Sequence, residues 1–164
     1  GRYWTLITSV FSHNVFWHFF INMYVLHSFG RVMEHTLGKS RFLIFYFTAG
    51  IVASLSHSIV SAFLLNRPEL PALGASGGVA GIFLVYALMF PKDKILLLAI
   101  IPMPAIVGAL AFVGLDIWGL LSQAKGGGLP IGHGAHLGGA LTGLLFYFLF
   151  IRPKMKQQRQ HLFL

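Results

Sequence analysis

The chain contains no cysteine, and only four of its 164 residues are acidic. Without thiols there is no disulfide framework, no thiolate nucleophile and no zinc–thiolate centre. Charged residues of either sign make up 10% of the chain, where a soluble domain carries about 25%. So few charges cannot cover a water-exposed surface, so a lone soluble core is a poor description. The chain begins at Gly1, not Met, and has no basic segment leading into a short apolar one, so no signal or transit peptide is read. A processed form or fragment is expected, with a targeting segment and a further helix upstream of Gly1.

What is abundant is hydrophobicity. Hydrophobic residues are 56% of the chain and the mean hydropathy is +0.76. Several apolar runs approach the roughly 18 residues that mark a transmembrane helix. The sequence predicts an all-α, polytopic transmembrane bundle with five spans, near 15–32, 42–65, 76–90, 95–115 and 134–151. It forms a single membrane domain over residues 1–164, of which 152–164 is a basic tail. No internal repeat is visible. Pro102 and Pro104 interrupt the fourth span and predict a bend. With Trp118 and the Gly126-Gly127-Gly128 loop, that helix is a candidate lid or lateral gate.

The net charge of +8 follows the spans and does not form a nucleic-acid face. In a five-span weave Arg31, Lys39, Arg41, Lys92, Lys94, Arg152, Lys154, Lys156 and Arg159 share one side, leaving Arg2, Arg67 and Lys125 on the other. The positive-inside rule reads the first side as cytoplasm-like. Spans one, three and five then all start on the less basic face. The third is short: about fifteen residues at 1.5 Å each give roughly 22 Å against a hydrocarbon core of about 30 Å. Anchored at Lys92 and Lys94, it leaves Ser76 below the membrane surface. Irregular backbone at that depth needs protein or water around it, so a hydrated cavity with Ser76 at its floor is expected.

Three motifs start those three spans. Ser76 lies in Gly74-Ala75-Ser76-Gly77 at a loop-to-helix junction, where glycines allow a sharp turn and free N–H groups face a developing oxyanion. A plain helix-capping serine is the alternative. His136 lies in Ala135-His136-Leu137-Gly138-Gly139. Gly139-x-x-x-Gly143 matches Gly77-x-x-x-Gly81, and such small-residue faces let membrane helices approach closely. That pairing would bring Ser76 Oγ within reach of a His136 nitrogen; a histidine that merely packs is the alternative. His18 and Asn22, four apart on one helix face, can both donate to an oxyanion, or else serve as interhelical polar contacts. No carboxylate partner for His136 is obvious among Glu34, Glu69, Asp93 and Asp116. A Ser–His dyad is therefore expected over a triad, with Asp116, at the end of the fourth span, left open as a remote orienter. The pairs His13/His18 and His133/His136 suggest a metal, but a metal leaves the glycines around Ser76 unexplained. No metal and no cofactor are assigned.

Taken together, His18-x-x-x-Asn22, Gly74-Ala75-Ser76-Gly77, Ala135-His136-x-x-Gly139-x-x-x-Gly143 and the Glu34-x-x-x-Gly38 turn resemble the rhomboid intramembrane serine proteases, over about residues 4–151. The resemblance implies a six-helix core, Ser76 as nucleophile, and His136 as general base and then acid. His18, Asn22 and the Ser76 N–H would hold the oxyanion. Transmembrane protein substrates would enter sideways near the fourth span, in a lipid bilayer and with no nucleic-acid partner; oligomeric state is left open. The segments around Asn22, Ser76 and His136 look most like the mitochondrial, presenilin-associated rhomboid-like branch. That implies the mitochondrial inner membrane, with a bacterial plasma membrane as the alternative. Two departures stand out. Ala80 occupies the place of the tyrosine that stacks on the histidine in bacterial members, so another group must hold His136. Trp4-Thr5 replaces a common Trp-Arg. A catalytically silent, client-binding relative and a small transporter are the competing functions.

Overall fold

A computed structural model describes residues 3–97 and 100–161. Leu98 and Ala99 of the expected fourth span, Arg2, and the last three residues of the tail lie outside the described residues, as do the side chains of Leu97, Lys156 and 158–161. A short helix α1 (Thr5–Thr8) and a 3-10 turn (Ser9–Phe11) precede α2 (Phe16–Leu37). Gly38, at φ +79°, ends α2, and its N–H bonds back to Glu34 O at 2.9 Å. A residue with a Cβ adopts that backbone at a cost, which explains the glycine of the Glu34-x-x-x-Gly38 turn. Next come α3 (Lys39–Ile59), extended by a π turn (Val60–Leu64), and α4 (Ser76–Met89).

The fourth span departs from expectation. Its first part is extended: β1 (Lys94–Leu97) and β2 (Ile101–Pro104) pair antiparallel, Ile95 with Met103 and Leu96 with Pro102. Proline has no N–H for a helix ladder and is tolerated on an edge strand, so Pro102 and Pro104 delay the helix and do not bend it. The helix α5 then runs uninterrupted over Ala105–Ala124. Two consequences follow. The prolines sit at the basic end, where Ala105 N–H meets Asp93 O at 2.8 Å, far from any gate at the other end. Asp116 lies inside the helix and not at its end.

The fifth span is α6 (His133–Phe146), a π turn (Tyr147–Ile151) and α7 (Arg152–His161). The chain stays helical through Pro153, where closure was expected. The wider turn just before it relieves the clash between a proline ring and the carbonyl four residues earlier.

Among the described residues three segments, Lys39–Leu64, Ala105–Ala124 and His133–Met155, are long and apolar enough to cross a membrane; Ser76–Met89 is apolar but only 14 residues. At 1.5 Å per residue that is about 21 Å. The short helix is the most enclosed element: Ala80, Ile82, Val85 and Ala87 are at most 2% exposed. Lipid supplies no hydrophobic drive between helices, so close packing must. The pattern of glycines provides it. A Cβ on Gly139 would collide with Gly77 O, one on Gly143 would lie 2.5 Å from Gly81 O, and one on Gly81 would lie 2.9 Å from Gly139 O. On the α3 side, a Cβ on Gly77 would strike Ala53, one on Gly138 would strike Ser56, and one on Gly78 would meet Tyr46 at 2.8 Å. Helices α3, α4 and α6 thus pack backbone to backbone, and their contact fixes the first turns of α4 and α6 side by side.

Candidate active site

Ser76 is the first residue of α4. The N-cap is Ala75, and no side chain caps the helix. The capping reading of Ser76 therefore fails: its hydroxyl is not spent on the backbone. The loop delivering it needs Gly74 at φ +102°, whose N–H bonds to Ser9 O at 3.0 Å. The first backbone bond into α4 is Val79 N–H to Ala75 O, 3.0 Å. The N–H groups of Ser76, Gly77 and Gly78 have no partner among the described residues, which makes them free donors at the positive end of a helix.

His18 and Asn22 lie against this loop. A Cβ on Gly74 would be 2.6 Å from His18 Cε1 and 3.6 Å from Asn22 Nδ2. Only glycine lets the three come together. Asn22 is 4% exposed, and its Nδ2 donates to His13 Nε2 at 3.2 Å. Ala75 N–H approaches the same nitrogen at 3.4 Å. His13 also packs edge-on against His18, with ring centroids 5.1 Å apart. Sequence reasoning considered His13 only as half of a metal pair. Its role is to fix the amide of Asn22 and the loop before Ser76.

The first turn of α6 carries His136 to the same place. A Cβ on Gly77 would lie 3.3 Å from Ala135 O. His18 and Asn22 thus lie against the loop before Ser76, and the residue before His136 lies against the residue after Ser76. The direct Ser76–His136 hydrogen bond is not formed: Ser76 Oγ has no hydrogen-bond partner among the described residues. Catalytic hydrogen bonds are often long before substrate arrives.

Asp116 is the main addition. Buried in the middle of α5, it accepts from His136 Nδ1 at 3.0 Å and from His133 Nδ1 at 2.6 Å, both on Oδ1. A carboxylate only accepts, so each Nδ1 carries the hydrogen that faces it. For His136 this leaves Nε2 as the nitrogen with a free lone pair. Phe112, one turn before Asp116, lies under the same imidazole with centroids 5.5 Å apart and planes 33° apart. Asp116 and Phe112 are thus two groups that hold the His136 ring, the need raised by alanine at position 80. Glycine at 119 completes the stripe, because a Cβ there would run into the His133 ring. The spacing 112, 116, 119 marks one helix face. An acid within an apolar helix was the available signal, lost because the span was read as ending at Leu115.

One groove of about 600 Å³ runs from Val10 and His13 past Met23 to Arg31 and Tyr46, and one of about 840 Å³ is lined by Arg31, Glu34, His35, Lys39 and Phe90. Ser76 lines neither. It is half-buried beneath a loop onto which the His18 ring packs.

A family model described as a Rhomboid domain matches residues 1–153. The chain is 37% identical over 164 residues to Rhomboid protein 1, mitochondrial, of Saccharomyces cerevisiae, covering 95% of this chain and 44% of that protein. It is 35% identical over 143 residues to Presenilin-associated rhomboid-like protein A, mitochondrial, of Danio rerio, covering 86% of this chain and 36% of that one. To Presenilin-associated rhomboid-like protein, mitochondrial, of Homo sapiens it is 33% identical over 146 residues, with 86% and 36% covered. The chain spans less than half the length of these relatives. No solved structure matches it.

Proposed function

Since the chain belongs to the rhomboid family and is an integral membrane protein of the mitochondrion, we propose that it is an intramembrane serine endopeptidase of the inner membrane, acting on transmembrane segments of other proteins. The observation that carries the reading is the Asp116–His136 hydrogen bond at 3.0 Å beside the uncapped, unpartnered Ser76. A histidine whose Nδ1–H is held by a buried carboxylate presents Nε2 as a base.

In the proposed reaction Ser76 Oγ attacks the scissile carbonyl as His136 Nε2 takes its proton. The negative oxygen is met by the first-turn N–H groups of α4 and by His18 and Asn22, donors set in advance by His13 and Gly74. His136 then passes the proton to the departing amine. Water enters, His136 draws its proton, and the acyl–Ser76 ester is cleaved. The apolar, lipid-facing flank of α5, with Trp118 at 68% exposed, is the side from which a substrate helix would approach. A substrate must unwind before its carbonyl can reach Ser76, because a helical peptide bond is shielded by its own turn.

The test is cleavage of a single-span substrate by purified protein, with wild type compared to Ser76→Ala. Product from the wild type alone supports the proposal; equal product from both removes it. A second reading, a rhomboid that binds client helices without cutting them, draws on the missing Ser76–His136 hydrogen bond. It predicts client capture that survives Ser76→Ala, with no product from either protein.

A further inference from the structure

The contact between Asp116, His133 and His136 is more than a base and its orienter. Three side chains of metal-ligating type bring one ligand atom each to within 4.8 Å of one another, in a region where His133 is 7% and Asp116 4% exposed. Asp116 spends only Oδ1 on the two imidazoles. Its Oδ2 is buried with no hydrogen-bond partner among the described residues. A buried carboxylate oxygen without a partner costs free energy, and a cation is the partner that a carboxylate flanked by two imidazoles accepts.

The two Nδ1···Oδ1 separations, 2.6 and 3.0 Å, are close to the roughly 3.3 Å edge of a tetrahedron built on zinc bonds of about 2.05 Å. Two nitrogens and a carboxylate with one open position form the donor set of a borderline ion such as zinc, and imidazole disfavours calcium or magnesium. We infer that Asp116, His133 and His136 form a zinc site whose occupation switches the active centre off.

The switch follows from the placement of one proton. In the metal-free site each neutral imidazole keeps its hydrogen on Nδ1, facing Asp116, and His136 Nε2 is a free base. A zinc ion takes the Nδ1 lone pairs of His133 and His136 and an oxygen of Asp116. Each imidazole then carries its single hydrogen on Nε2. No proton is gained or lost, yet His136 Nε2 has changed from acceptor to donor and cannot take the Ser76 proton. Metal binding stands independently of the proteolytic reading; inhibition rests on it.

The experiment has two arms. In the first, protein purified in detergent and stripped with EDTA is titrated calorimetrically with zinc chloride, for wild type, His133→Gln and Asp116→Asn. Losing an outer-shell partner of a metal costs 10–100-fold in affinity, so losing a ligand should weaken binding by about 100-fold or more. Identical isotherms for all three proteins, or no binding to the wild type, would overturn the site. Should a variant not fold, the wild type suffices: zinc should shield His133 and His136 from diethylpyrocarbonate, read by peptide mass. Equal modification with and without zinc would overturn the inference. In the second arm, cleavage of a transmembrane substrate is followed against zinc, each protein relative to its own rate in EDTA. Wild type should slow with a midpoint matching its calorimetric affinity and recover in EDTA, and His133→Gln should need about 100-fold more zinc. Zinc that binds without slowing cleavage refutes the switch. A wild type that cleaves nothing even in EDTA refutes the proteolytic reading, and the first arm alone then decides the site.

Discussion

At Asp116 one oxygen serves two imidazoles, so its removal is felt at His136 in two ways. On the proposed mechanism the imidazole loses the group that fixes its tautomer, and the ring loses one of its two supports, the other being Phe112. Asp116→Asn should lower kcat by at least about 100-fold, toward the roughly 10,000-fold of a soluble triad, with KM little changed; a rate equal to wild type would return the site to a dyad. His13 acts one step further back, through Asn22 and the Ala75 N–H. His13→Ala should reduce kcat by about 10–100-fold, less than the 100–1000-fold expected for loss of an oxyanion donor itself at Asn22. Initial rates on one substrate compare the two. Ser76, His136, His18 and Asn22 could be singled out from sequence because each sits in a short motif with fixed spacing. Asp116 was legible only as an open alternative, His13 only as half of a metal pair, and Phe112 not at all. Each works through a partner at least nine residues away, and nothing in local spacing announces such a contact.

The elements repeat this lesson. Helices α2, α3, α4 and α6 were legible from apolar runs and small-residue spacing, and the close approach of Gly77 to Gly139 follows directly from the latter. The hairpin Lys94–Pro104 was not, because apolar β-branched residues satisfy either a strand or a span, and two prolines in a hydrophobic run read equally as a kink. The α4–α6 contact gives the sharpest test at this scale. A Cβ at Gly139 would overlap the Gly77 carbonyl, and backbone cannot swing aside as a side chain does. Gly139→Ala should destabilise the fold by about 3 kcal/mol or more, at or beyond the upper end of ordinary overpacking, seen as a large fall in Tm in detergent. Leu141→Ala, on the lipid-facing side of the same helix at 54% exposed, should shift Tm far less. Equal shifts would mean that the two helices do not meet as described. Gly74→Ala meets both a disallowed φ and the His18 ring, so it should impair cleavage about as much as His18→Ala does.

For the whole molecule, the five-span weave read from the sequence makes one prediction: Ser76, His136, His18 and Asn22 lie on the side opposite the one expected to carry nine of the twelve basic residues. The absence of cysteine makes this directly measurable. In sealed membranes, Ser40→Cys and Gly127→Cys should react with an impermeant maleimide from opposite sides; labelling from the same side would overturn the weave. On the proposed function, the bundle uses close glycine contacts between α4 and α6 to hold a serine and a histidine inside a hydrophobic medium. The most direct test of that purpose is a fluorophosphonate reaction in native membranes, read as an adduct mass on the peptide that contains Ser76. Adduct on Ser76 in wild type, lost in His136→Ala and much slowed in Asp116→Asn, is the predicted result. A wild-type Ser76 that stays unmodified, or one labelled equally without His136, would contradict it.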